Sequence, residues 1–110
     1  MFTATASAFN DYDNKTVSIG ENINGFGSIS TYNNSLKQTF SLGANNDGTG
    51  KLTIFDSEGR ETLTLLRSLT TFKKDGKITG KYGTNNSGDG SVFLYDRFGN
   101  RGWYKTGKNS

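Results

Sequence analysis

The residues best placed to do chemistry are two aspartates in repeated settings, Asp56 and Asp96, 40 positions apart. Paired carboxylates can serve as acid and base in glycoside hydrolysis. Little else in the chain supports such a role. There is no histidine, the usual general base near neutral pH and the commonest metal ligand. There is no cysteine, which removes thiolate nucleophiles, disulfides and Cys-based metal sites. Asx at the first position of a turn has a simpler use, accepting hydrogen bonds from the backbone. We therefore read Asp56 and Asp96, with Asn33 as their equivalent, as turn residues. The expectation is a non-enzyme with no catalytic residue, no metal and no cofactor.

Two Asn- and Gly-rich stretches suggest oxygen-lined loops, Asn45–Gly50 and Asn85–Gly90. Neither carries the run of carboxylates that a calcium loop uses. Their Gly-x-Gly pairs are not phosphate cradles, because no helix pattern follows. They are expected to mark bulges or close backbone approach.

The elements that position these residues are short strands. NNDGTGKLTIFDSEG (45–59) and NNSGDGSVFLYDRFG (85–99) align without a gap at a spacing of 40. A weaker copy, residues 25–42, aligns with residues 48–65 at a spacing of 23. Unequal spacings argue against a regular solenoid and for one hairpin used three times. In that hairpin Leu52 and Ile54 alternate with Thr53 and Phe55. Asp56 and Gly59 then bracket a type I turn closed by a left-handed glycine. Residues 61–65 return. Arg101, Trp103 and Lys105 return in the later copy, and Phe40 and Leu42 in the early one.

Asp75-Gly76 signals a further two-residue turn. The start alternates through Phe2, Ala4, Ala6 and Ala8, then turns near Asp13-Asn14. A rival helix over residues 57–69 loses to the strand reading, because its alignment with Trp103-Tyr104 favours a strand. The chain is expected to form one all-β domain, residues 1–110. Its architecture is expected to be an antiparallel β-sandwich or small β-barrel of about eight to ten short strands built from hairpins. A thin core, filled largely by rings, should hold it together.

Composition bounds the function. Hydrophobic residues are 31% of the 110 and aromatics 13%, with no proline, so Gly, Asn and Asp must make the turns. The net charge of +3 is uneven. Residues 1–59 hold three lysines against six acids, a balance of −3, and residues 60–110 hold ten Lys/Arg against four acids, a balance of +6. Such a molecule can join its own copies head to tail. No signal-peptide pattern and no bilayer-length apolar run is present, so a soluble protein of the cytoplasm or a virion is expected, with no membrane partner.

Tyr32, Phe55 and Tyr95 share one repeat position. If Leu52, Ile54, Val92 and Leu94 face the core, these rings and Phe93 lie on the opposite face. That face is ordinarily polar. Three coverings are open: a second layer of the same domain, another subunit, or a stacked ligand. Arg97, Phe98, Arg101, Trp103, Tyr104, Lys105 and Lys108 add a basic and aromatic stretch near the C-terminal end. The leading expectation is a structural or assembly module, such as a virion protein, associating with itself or another protein through sheet faces and complementary charge. A carbohydrate-binding module with exposed rings is the first alternative. A basic binder of single-stranded nucleic acid is the second and ranks below it.

Overall fold

The computed structural model describes residues 6–21 and 23–108. They form ten strands and no helix: β1 (Ala6–Phe9), β2 (Lys15–Glu21), β3 (Gly27–Tyr32), β4 (Gln38–Ala44), β5 (Gly50–Phe55), β6 (Glu61–Leu66), β7 (Ser68–Phe72), β8 (Ile78–Thr84), β9 (Gly90–Tyr95) and β10 (Arg101–Thr106). Each strand pairs antiparallel with its neighbours in sequence, so the sheet order runs β1 to β10 without a crossover. The all-β, hairpin-built fold is as expected. The sheet does not close, because β1 and β10 lie at opposite ends of the order. Phe2 and Ala4 lie outside the described residues.

One turn recurs down one side of the sheet. In residues 10–14, 33–37, 56–60, 73–77 and 96–100, the first residue's N–H donates to the fifth carbonyl. The fourth N–H donates back to the first carbonyl. The fourth residue takes positive φ: Asp13, Leu36, Gly59, Gly76 and Gly99. Left-handed backbone is cheap only for glycine, and Asp tolerates it better than Leu. The Asp75-Gly76 signal therefore marks the middle of a five-residue turn that opens at Lys73. It is not a two-residue turn.

After each of these turns the register slips by one residue. The extra residue is Thr16, Thr39, Thr62, Thr79 or Gly102, which makes a β-bulge. The side chains of Thr16 and Thr62 donate to the carbonyls of Ala8 and Ile54. Thr39 and Thr79 pair with Thr31 and Thr71. The hairpin is thus used five times, and the unequal spacings have a simple origin. Successive turns on this side begin 23 residues apart, except across β6 and β7, where they begin 17 apart. There the chain reverses at Arg67, held at φ 61°, with Leu66 facing Ser68.

The Gly-x-Gly pairs do not mark bulges. Gly48 and Gly88 are left-handed turn residues, and Gly50 and Gly90 pair with Ala44 and Thr84 in regular register. Close backbone approach occurs elsewhere. A Cβ on Gly43 would lie 2.7 Å from the Gly27 carbonyl oxygen, and one on Gly83 would lie 2.5 Å from Ser68 Cβ.

The expected aromatic core is absent. No hydrophobic side chain among the described residues is buried, and the buried residues are Thr53, Thr64 and Ser91. All ten strands lie in one sheet measuring 56 × 34 × 16 Å. Ten strands at about 4.8 Å spacing account for most of the long axis. No further element among the described residues covers either face, so rings and aliphatic side chains that alternate correctly still reach the surface.

Candidate interaction faces

Cross-strand partners share a face, so the register sorts every strand residue. One face carries Ile19, Ile29, Leu42, Leu52, Leu65 and Leu69 as partners in succession across β2 to β7. Tyr82 and Val92 extend that row across β8 and β9. A second row runs Ala8, Val17, Thr31, Phe40, Ile54 and Leu63, and resumes at Leu94 and Trp103. This aliphatic face is exposed. Ile19 is 47% accessible, Leu42 and Leu65 are each 41%, Leu94 50% and Trp103 52%.

The opposite face has a centre of small hydroxyls: Ser18, Ser30, Ser41, Thr53, Thr64 and Thr70 are partners in succession. On the side of the bulged turns it has a ladder of rings. Phe9, Tyr32, Phe55, Phe72 and Tyr95 each end the strand that enters a bulged turn. Each faces Lys15, Gln38, Glu61, Ile78 or Arg101 across the hairpin. Gln38 reaches Ser30, and Thr64 donates to Glu61. Only neighbouring side chains on this face can bury Thr53 and Thr64.

The register therefore puts Tyr32, Phe55, Phe93 and Tyr95 on the face away from Leu52, Ile54, Val92 and Leu94. It also brings together part of the basic, aromatic stretch. Phe93 and Tyr104 stack at 5.8 Å, and the Arg101 guanidinium stands 4.3 Å from the Tyr104 ring centre and 5.8 Å from that of Phe93. Cation–π contact of this kind is favourable and leaves the charge hydrated. Trp103 is separated from that cluster, on the aliphatic face. Arg97 and Phe98 lie in the turn after β9, where the guanidinium sits 5.0 Å from the Phe98 ring. The sequence reading did not include Phe9 and Phe72 in the ladder. Each precedes its bulge residue by seven positions, as Tyr32 and Phe55 do, and that interval was the available signal.

Asp56 and Asp96 occupy the turns. Asp56 Oδ1 accepts from the backbone N–H of Glu58 and Arg60, each at 2.9 Å. Asp96 Oδ1 accepts in the same way from Phe98 and Asn100. Asn10, Asn33 and Asn85 make the equivalent pair of bonds. The Arg60 side chain holds Asp56 below the ordinary carboxylate pKa, as the Asn100 N–H does for Asp96. The two carboxylates sit four strands apart, roughly 19 Å. That exceeds the separation of either glycosidase geometry, at most about 9.5 Å.

In the loop of residues 45–49, Asp47 is engaged by Arg67 at 3.0 Å and by the Thr49 N–H at 2.9 Å. Hydrogen bonds from Thr49, then the Arg67 charge, lower its pKa. No group of three metal-ligating side chains occurs among the described residues, and no helix among them is long and apolar enough to cross a membrane. No protein-family model and no curated protein matches the chain.

Proposed function

We propose that this chain is a structural module that assembles with a second copy of itself, aliphatic face to aliphatic face. The observation that carries this reading is an apolar face running across the sheet, over which none of the described residues lies. Monomeric proteins rarely expose a contiguous apolar patch beyond about 600 Å². A sheet of 56 × 34 Å offers far more than the roughly 800 Å² per partner of a standard interface.

Charge and shape favour one arrangement. Because the strands lie in chain order, the acidic half of the sequence is one end of the sheet and the basic half is the other. A two-fold axis parallel to the strands sets β1 of one copy over β10 of its partner. Opposite charges then meet. The small Ala6 and Ala8 side chains also come over the bulk of Trp103. Such an isologous pair closes on itself and makes an intermolecular two-layer sandwich. A filament or shell, including a virion shell, can be built from such pairs.

Trp103 fluorescence tests this reading. Emission should shift to shorter wavelength as concentration rises. Leu42→Asp with Leu65→Asp should abolish the shift, whereas Lys81→Asp, on the other face, should not. Emission independent of concentration in the unmodified protein would refute pairing through this face.

A further inference from the structure

We propose that the ring ladder on the hydroxyl face binds a neutral, extended β-1,4-linked glycan lying across the strands. This inference uses the face opposite to the one assigned to self-association and does not depend on it.

Spacing is the first argument. Successive rings of the ladder stand two strands apart, about 9.6 Å. An extended β-1,4-linked chain repeats each disaccharide over much the same length. Five rings therefore offer one stacking surface per disaccharide along a path of roughly 38 Å. Apolar sugar faces stack on aromatic rings; Phe9 is 57% exposed, and the other four rings are half-buried, each keeping part of its surface open. Each ring precedes a turn locked by two backbone hydrogen bonds. The platform is thus organised before any ligand arrives, which reduces the ordering cost of binding.

Chemistry between the rings is the second argument. Ile78 fills one intervening strand position with an apolar side chain, while Lys15, Gln38 and Glu61 fill the other three and Arg101 flanks the last ring. The polar side chains supply donors and acceptors suited to sugar hydroxyls. Their signs are mixed, and Glu61 stands mid-ladder with Asp56 at the adjoining turn. A polyanion would meet repulsion there, so the pattern fits an uncharged chain.

The test is calorimetric titration of the full chain with cello-oligosaccharides and chito-oligosaccharides, from disaccharide to hexasaccharide. A single-stranded oligonucleotide serves as comparison. At least one sugar series should bind, with the hexasaccharide at least tenfold tighter than the disaccharide. Replacing Tyr32 and Tyr95 by Leu keeps bulk and removes the ring faces. It should weaken hexasaccharide binding at least tenfold. Trp103→Ala, on the other face, should leave it unchanged. Circular dichroism establishes that each variant is folded, and if the double variant is not, Tyr32→Leu alone is read for a several-fold loss. No binding by either series at millimolar sugar would overturn the proposal. So would affinity indifferent to chain length or to the rings, or ring-dependent binding of the oligonucleotide tighter than that of the hexasaccharide.

Discussion

Leu36 sits in left-handed backbone, φ 63°, at the place that Gly59, Gly76 and Gly99 fill in sister turns. Its side chain is 60% exposed and offers little packing in return. Leu36→Gly should therefore stabilise the fold by about 0.5–1 kcal/mol, after the extra entropy of glycine in the unfolded chain is set against the relieved strain. The reverse holds at Gly88, where φ is 90° and a Cβ would meet nothing within 4 Å. Gly88→Ala should cost about 1–2 kcal/mol through backbone strain alone. Urea unfolding of both variants checks the pair of signs. The turn aspartates give a pH signature. The pKa values of Asp47, Asp56, Asp75 and Asp96 all lie below the ordinary 3.8 in the folded protein. Folding therefore gains from their ionisation above the ordinary carboxylate range, and loses that gain as pH falls through the lowered values. Asp96→Asn keeps the acceptor that Asn33 and Asn85 use naturally. It should retain the turn near neutral pH while reducing the loss of stability in acid, whereas Asp96→Ala should weaken the fold at both. Denaturation midpoints at neutral and acidic pH separate the two.

At the scale of the element, the hairpin is the unit, and its parts were unequally legible. Alternation at Leu52–Phe55 and Val92–Tyr95 reports strands directly, because the side-chain period of a strand is two. Asp56 with Gly59 and Asp96 with Gly99 report their turns. The other three copies of the bulged turn carry substitutions. Asp13 and Leu36 replace glycine in the first and second, and Lys73 replaces the Asx acceptor in the fourth. The reversal at Arg67 carries no turn residue at all. Arg67 instead leans on Asp47 and Thr49 of the neighbouring loop, a contact that sequence spacing does not display. Lys73 cannot accept the backbone donors that Asn or Asp takes in its sisters. Lys73→Asn should stabilise the hairpin by up to about 1 kcal/mol in urea unfolding, despite losing an exposed pair with Asp75. The tight glycines give an internal contrast. Gly43→Ala forces a clash with the neighbouring strand, whereas Gly27→Ala meets open space. The first should lower the thermal midpoint distinctly more than the second.

At the scale of the molecule, alternation names the apolar face but not what covers it. Leu42, Leu65 and Trp103 have the spacing of core residues, and nothing local distinguishes a core face from an interface. Counting strands does not help, since ten strands make two layers or one depending on how hairpins connect. Here each strand pairs with its neighbours in sequence, so one layer results and its apolar face remains outside. A fold without an internal core should depend on its partner for stability, and its unfolding midpoint should rise with protein concentration. Added salt should weaken the pair by screening the contact between its acidic and basic ends. Sedimentation equilibrium over a concentration series decides whether the aliphatic face pairs with a second copy. Face-to-face pairing gives a mass that rises from 12.0 kDa toward twice that value, with Leu42→Asp and Leu65→Asp together holding it at the lower figure. A folded protein that stays at the monomer mass at every concentration would contradict it.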